Sequence, residues 1–370
     1  MRSFLSKTRE YVSLFSIISY LLTVISFILF LIVTSSTGFA DFFNYYLSAP
    51  TRAIMAWICV IFPFSVAEVV VLTSPILLGI LIFIIVKQAK KGKKASIKLL
   101  NIIISVLCLV FVTFVWTYSS GYHTSTIDEK MNLDRSAISK EELYKTSEIF
   151  VNELNSLVDK IEFDDTGASV MPYSYAEMSG KICDAYDSFV EKHDGVIHTF
   201  YSRVKPLIIS EPMTYTHLSG IYTFMSGEAN VNVNYPDFIV ATTAAHEMAH
   251  QRGVAREDEA NFIAFAVLLE SNDPFLRYSA FVDLFPNILN NLYDEDEELY
   301  FSLASNLDKR VFKDRASYSK FFEKYANSTA SQVTGSINDA YLQANGQVEG
   351  TKSYGMVTEI VCAYLLGKTK

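Results

Sequence analysis

The sequence predicts an α+β fold, mainly helical with a small sheet, preceded by about three membrane-crossing helices. Three observations lead there. Half of the 370 residues are hydrophobic, with the long uncharged runs confined to the first third. A stretch over 204–233 is rich in Thr, Tyr, Ile and Val and is broken by Gly220 and Gly227, the texture of short strands and turns. On either side of it the apolar spacing is helical, and a few strands followed by many helices is an α+β order.

Residues 14–33 form an uncharged apolar run long enough for one bilayer crossing. Residues 66–86 form a second, interrupted by Pro75, which a transmembrane helix tolerates when its neighbours satisfy the freed carbonyl. Residues 99–118 form a third, ending in the interface-favouring Trp116 and Tyr118. Between the first two, the aromatic-rich segment 39–64, broken by Pro50 and Pro63, reads as an interfacial or re-entrant piece. Glu68 reads as a helix-start carboxylate rather than a proton relay, since no intramembrane partner is apparent.

Basic residues set the expected orientation. Arg2, Lys7 and Arg9 precede the first run, and Lys87, Lys90, Lys91, Lys93, Lys94 and Lys98 fill the loop before the third, whereas the loop between has only Arg52. The positive-inside rule then makes both basic segments cytoplasmic and everything after Ser120 extracytoplasmic. A cleaved signal peptide is the rival for the first run, with Gly38 and Ala40 before Asp41, but the run exceeds a usual signal core, so retention is expected. The expected organisation is a membrane anchor over 1–120 and an extracytoplasmic domain over 121–370.

In the second portion, Ser139-Lys140-Glu141-Glu142 has capping-box form and opens a helix running to 161, with another over 175–191. Pro236 and Asp237 start a new helix, with Asp237 as its N-cap, and helices follow over 273–292, 318–345 and 357–366. This portion carries 21 basic against 37 acidic residues. That balance speaks against a nucleic-acid partner, which calls for a basic patch. Cys183 and Cys362 offer one possible disulfide, but sparse cysteine without CxxC spacing favours buried free thiols.

The chemistry-bearing segment is His246-Glu247-Met248-Ala249-His250. Two His four residues apart stack on one helical face, so both imidazoles reach one zinc ion. Glu247 sits beside them, placed to take a proton as general base without occupying a coordination position. With only six His in the chain, chance is a poor explanation of the pattern. A third ligand is required. Gly253 ends the helix and the next begins around Glu257-Asp258-Glu259-Ala260-Asn261. Glu257 and Asn261 share one face, so Glu257 can bind the metal while Asn261 supports a ligand His. Glu259 lies about 200° round the helix, so only one of the two carboxylates faces the metal, and the pairing with Asn261 favours Glu257. Glu228 is a further possible ligand, though a turn carboxylate after Gly227 is the plainer reading.

At these residues the chain resembles the gluzincin metallopeptidases, which join an HExxH helix to a second helix carrying Glu-x-x-Ala/Ser-Asp/Asn, here Glu257, Ala260 and Asn261. Gly253 is similar in position to the glycine of the metzincins, but Arg256 stands where their third His would be and cannot serve as a ligand. Over most of its length the chain resembles an uncharacterised bacterial family, the domain of unknown function numbered 3810, including the segment Gly227-Glu228-Ala229-Asn230-Val231-Asn232. The resemblance implies a zincin-like domain in a bacterial cell membrane, with zinc as cofactor, hydrolysing peptide bonds of a peptide or protein substrate. It also implies that a strand within 213–233 receives that substrate. Oxyanion stabilisation would come from His217, Tyr222 or Tyr354, among which the sequence does not choose. The alternative is a non-catalytic membrane sensor or assembly protein with structural zinc or none.

Overall fold

A computed structural model of the chain describes residues 11–350, 352 and 356–370. Arg2, Lys7, Arg9 and Tyr354 lie outside the described residues. The fold is mainly helical with two small sheets, and three of its helices are long and apolar enough to cross a membrane: α1 (Leu14–Ser35), with α4 (Val66–Ala89) and α5 (Lys93–Thr117) further on. These support membrane association. Ser13 and Ser65 start α1 and α4 by accepting the amide N–H of Ser16 and Glu68, so each span opens on a satisfied donor. Leu21, Phe83 and Leu107 are among the many apolar side chains left exposed, as expected where lipid replaces water.

Cross-helix contacts fix the directions of the spans. Tyr11 meets Lys94, the Tyr20 hydroxyl donates to Asn101 Oδ1 at 2.7 Å, and Phe30 meets Phe111, so α1 and α5 run the same way. The short turn at Gly92 reverses the chain between α4 and α5. Lys87 to Lys98 therefore gather at one end of the three helices, while residues 36–65 and the described residues from Tyr118 onward lie at the other.

The segment 39–64, expected to be an interfacial or re-entrant piece, lies in α2 (Thr37–Phe43), a π-helical turn over Asn44–Ser48, α3 (Ala49–Val60) and the turn that follows. Pro50 sits in the first turn of α3, directly after the π-helical turn. Arg52 has a role that charge counting does not reveal. It is fully buried and donates to Asn44 Oδ1, to the carbonyl of Thr117 at the end of α5, and to the carbonyl of Arg252. Glu228, the weakest of the suggested metal ligands, is likewise spent elsewhere: its two oxygens accept the N–H groups of Val66 and Ala67 at 2.9 Å, capping α4. Glu68 accepts the N–H of Ile209, which bears out its reading as a helix-start carboxylate with a structural partner.

After α6 (Ile127–Lys130), α7 (Lys140–Leu157) opens on the capping box at Ser139 and Glu142. A hairpin of β1 (Glu162–Phe163) and β2 (Ser169–Val170) follows, too short for any alternation to show in sequence. Then come α8 (Tyr175–Lys192), β3 (Lys205–Pro206), α9 (Ser210–Thr214), β4 (Gly220–Thr223) and β5 (Glu228–Val231). The second sheet has order β3-β5-β4, with β3 parallel and β4 antiparallel to β5, so β4 has a neighbour on one side only.

The remaining elements are α10 (Asp237–Gln251), α11 (Glu257–Leu269), α12 (Pro274–Glu295), α13 (Glu297–Ala304), α14 (Lys309–Glu323), α15 (Thr329–Ala344) and α16 (Thr358–Leu366). One expected helix over 318–345 is thus two, because Ser328 caps a fresh start by accepting the Ala330 N–H. The core forms where α7, α8, α10, α11 and α12 meet, and in it Phe281 stands edge-on to the stacked pair Phe150 and Phe265. Cys183 and Cys362 are buried free thiols.

Candidate metal centre

Helix α10 is enclosed almost all round: every residue from Phe238 to Gln251 is buried except His246, which is half-buried. Its small residues Ala241, Ala244, Ala245 and Ala249 allow that close approach. Asp237 is its first helical residue rather than its N-cap, and Oδ2 accepts the Met171 N–H, tying the β1–β2 hairpin to the helix start. The helix ends at Gly253, whose φ of +97° is costly for any residue with a Cβ, and whose missing Cβ leaves room for the Arg52 guanidinium. The chain then turns into α11, so that Glu257, in the first turn, faces back toward α10.

The turn brings His246, His250 and Glu257 together, with one ligand atom of each within 4.8 Å of the others. Nε2 of His246 is 3.2 Å and Nε2 of His250 is 3.4 Å from Glu257 Oε2. The two rings are 4.6 Å apart and nearly perpendicular. Nδ1 of His250 lies 2.7 Å from the Val254 carbonyl, which can only accept, so Nδ1 carries the proton and Nε2 offers a lone pair when the ring is neutral. Oε2 of Glu257 is buried without a hydrogen bond of proper geometry, and Nδ1 of His246 is buried without a partner. Three electron-pair donors converging on one point demand a cation between them, either a shared proton or a metal ion.

The electrostatics agree. Burial alone would lower the pKa of His250, but the charge and hydrogen bond of Glu257, with Glu247 and the Val254 carbonyl, outweigh it and push the value up to about 9. Burial would raise Glu257, yet the two imidazoles hold its carboxyl well below the usual range. Glu247 behaves oppositely. Burial raises it, and Glu257 adds to that, against the pull of His246 and His250 and a backbone hydrogen bond from Tyr222. Its Oε2 has no partner. Beside the cation site there is thus a carboxylate with a free oxygen and a raised affinity for protons, as a general base requires.

Glu259 is buried but faces away, accepting from the Ile127 N–H at 3.1 Å and from Arg256 at 2.9 Å. Of the two carboxylates, it is Glu257 that lies beside the two imidazoles. Asn261, expected to support a ligand His, lines the same cavity as His246. That cavity, about 470 Å³, is bounded by Glu247, Thr242, Asp283, Phe322 and residues of α15. Gly220 of β4 forms its near wall, and a Cβ there would fall 2.6 Å from Glu247 Oε1.

Of the oxyanion candidates, His217 donates from Nε2 to the Tyr325 carbonyl at 2.8 Å, and Tyr222 has its hydroxyl buried in an aromatic cluster. Sequence reading missed Tyr118, which it took only for an interface anchor. Its hydroxyl is 3.2 Å from His250 Nδ1, and its ring packs on Tyr122, Tyr222 and Phe224. Nothing in the local sequence signals this, because 132 residues separate the partners.

A family model described as protein of unknown function (DUF3810) matches residues 39–362. No curated protein and no solved structure matches the chain.

Proposed function

We propose that this chain, which belongs to that family of unknown function by a match over most of its length, is a membrane-anchored, zinc-dependent peptidase of the zincin type. The observation that carries the reading is the convergence of His246, His250 and Glu257 next to the unpartnered carboxylate oxygen of Glu247. Ligand atoms around a tetrahedral zinc stand about 3.3 Å apart, given metal–ligand bonds of about 2.0–2.1 Å. The His–Glu separations of 3.2 and 3.4 Å fit that edge length. Two imidazoles and one carboxylate also form the ligand set of a hydrolytic site with one position left open.

When bound, zinc would supply Lewis acidity, polarising the scissile carbonyl and lowering the pKa of water. The residues do the rest. Water adds across the amide, the C–N bond breaks, and Glu247 takes one proton from the water and gives it to the departing nitrogen. The raised proton affinity of Glu247 suits both halves of that transfer. The Val254 carbonyl holds the His250 ring in the tautomer that binds metal. Among the described residues β4 pairs with β5 only, and although its Tyr222 N–H is given to Glu247, the rest of its outer edge is where an extended peptide can lie next to that carboxylate.

The test uses the full-length chain in detergent, assayed for zinc content and for cleavage of a mixed peptide library, alongside Glu247→Gln. The expected result is about one zinc per chain in both proteins, with hydrolysis in the variant reduced about 10²–10⁴-fold. Hydrolysis unaffected by Glu247→Gln would end the peptidase reading. Zinc retained by a chain that cleaves nothing would return it to a non-catalytic sensor or assembly role.

A further inference from the structure

The metal centre is held against the end of a membrane span. The apolar part of α5 begins after Lys98, and the 20 residues 99–118 rise about 30 Å, the thickness of a hydrocarbon core. Tyr118 therefore stands at the bilayer boundary, and its hydroxyl is 3.2 Å from His250 Nδ1. No stalk separates site from span: Arg52 bonds the carbonyls of both Thr117 and Arg252, and Asn44 donates to the Gly253 carbonyl.

β4 runs between the same two places. At its start, Gly220 lies against Glu247. At its far end, the turn into β5 rests on the membrane-side helices: the Ser226 carbonyl accepts from Cys59, and Gly227 abuts Met55. Glu228 then caps α4. β4 itself spans Gly220 to Thr223, about 10 Å in extended form, and Phe224 to Gly227 make the turn. Along β4 and its turn Ile221 is 47% and Met225 54% exposed, and Trp57 and Ile61 of the membrane-side segment are exposed as well. Exposed apolar surface marks contact with a partner or a membrane, and here it adjoins helices apolar enough to cross a bilayer, so a lipid surface covers it.

Taking the peptidase reading as premise, we infer that the substrate is a polypeptide anchored in the same bilayer, cut within a few residues of the point where it enters the membrane. A strand paired on the free edge of β4 has one end at Glu247 and the other at the lipid surface, so the anchor and the scissile bond are close together in the chain. The anchor replaces diffusional capture: both molecules are confined to one surface, which raises the effective concentration of the correct segment over any free peptide.

The experiment reconstitutes the full chain in vesicles of zwitterionic and anionic phospholipid in a 3:1 ratio. One quenched fluorescent peptide, chosen from the library hits, is presented free, or fused to a single transmembrane helix through a spacer of 3 or of 25 residues. Cleavage of the short-spacer substrate is expected to exceed that of the long-spacer one at least tenfold at equal surface density, with the free peptide slowest. Equal rates for the two spacers, or a free peptide cut as fast, overturn the inference while leaving the peptidase reading intact. A depth measurement needs no activity. The fluorescence added by Met225→Trp, over the Trp57 and Trp116 background, should lose more than half its intensity in lipids brominated near the glycerol. An unquenched increment places the edge strand away from the bilayer and overturns the inference even if the enzyme is active. Absence of cleavage in every format defeats both readings.

Discussion

Nδ1 of His250 donates to the Val254 carbonyl at 2.7 Å, so the geometry of the turn after α10 decides which imidazole nitrogen faces Glu257. The cation site is therefore a property of the whole helix–turn–helix unit. Its two acidic candidates separate cleanly. Glu257→Gln removes the charge from the centre and is expected to lower zinc affinity at least 100-fold, as read by competition with a chelator. Glu259→Gln leaves zinc affinity unchanged. It weakens the bonds to Ile127 and Arg256 and costs about 1–3 kcal/mol of stability, visible as a lower Tm. Zinc loss in Glu259→Gln with retention in Glu257→Gln would reverse the assignment of the third ligand.

Gly220→Ala tests the contact between edge strand and base. The added Cβ would sit 2.5 Å from Thr243 Cγ2 and 2.6 Å from Glu247 Oε1, too close for either to stay. None of the three atoms nearest that Cβ belongs to His246, His250 or Glu257. Zinc content should hold while kcat/KM of the proposed peptidase falls tenfold or more, because the carboxylate must swing away from the reacting water. Unchanged kcat/KM would mean that β4 yields and that Glu247 does not depend on it for position.

The parts of this arrangement that the sequence discloses are those set by local spacing. His246, Glu247 and His250 lie within one turn of a helix, so periodicity alone brings them together. Glu257 is nearly as legible, since Gly253 announces the turn and the next helix must start close by. The three spans are legible because hydrocarbon thickness sets their length. Arg52 is not. In sequence it is a lone basic residue between two spans, and only the fold shows its guanidinium surrounded by the carbonyls of Thr117, Arg252 and Asn44. The same holds for Tyr118, and for Glu228, whose neighbours in sequence do not include the start of α4 that it caps. Long-range satisfaction of backbone groups leaves no periodic trace.

Arg52→Ala follows from that junction. Removing the guanidinium strands several buried acceptors and opens a void between α3, the end of α5 and the end of α10. The expected cost is about 3–5 kcal/mol, comparable to breaking a buried charged network. The Tm in detergent should fall together with zinc affinity, since Arg252 and Gly253 follow directly on the ligand helix. Arg52→Lys, which keeps the charge but not the fork of donors, should recover only part of the loss. A wild-type Tm for Arg52→Ala would show the junction to be dispensable.

Acid stability has a specific contributor outside the His246–His250–Glu257 cluster. Asp314 is fully buried in α14, accepting from the Ser169 N–H at 3.0 Å and the Tyr278 hydroxyl at 2.9 Å. Burial raises its pKa above 3.8, and the bonds from Ser169 and Tyr278 and the charge of Arg315 offset this only in part. A raised carboxyl pKa means that the folded state binds the proton more tightly than the unfolded one. The stabilising contribution is then complete below pH 3.8 and is lost as pH rises through the folded value. Asp314→Asn keeps the shape and cannot ionise. Its Tm relative to wild type should therefore be higher at pH 7 than at pH 3.5, with the gap closing on acidification. A Tm difference that does not vary between those two pH values would show that the carboxylate ionises without penalty inside the core.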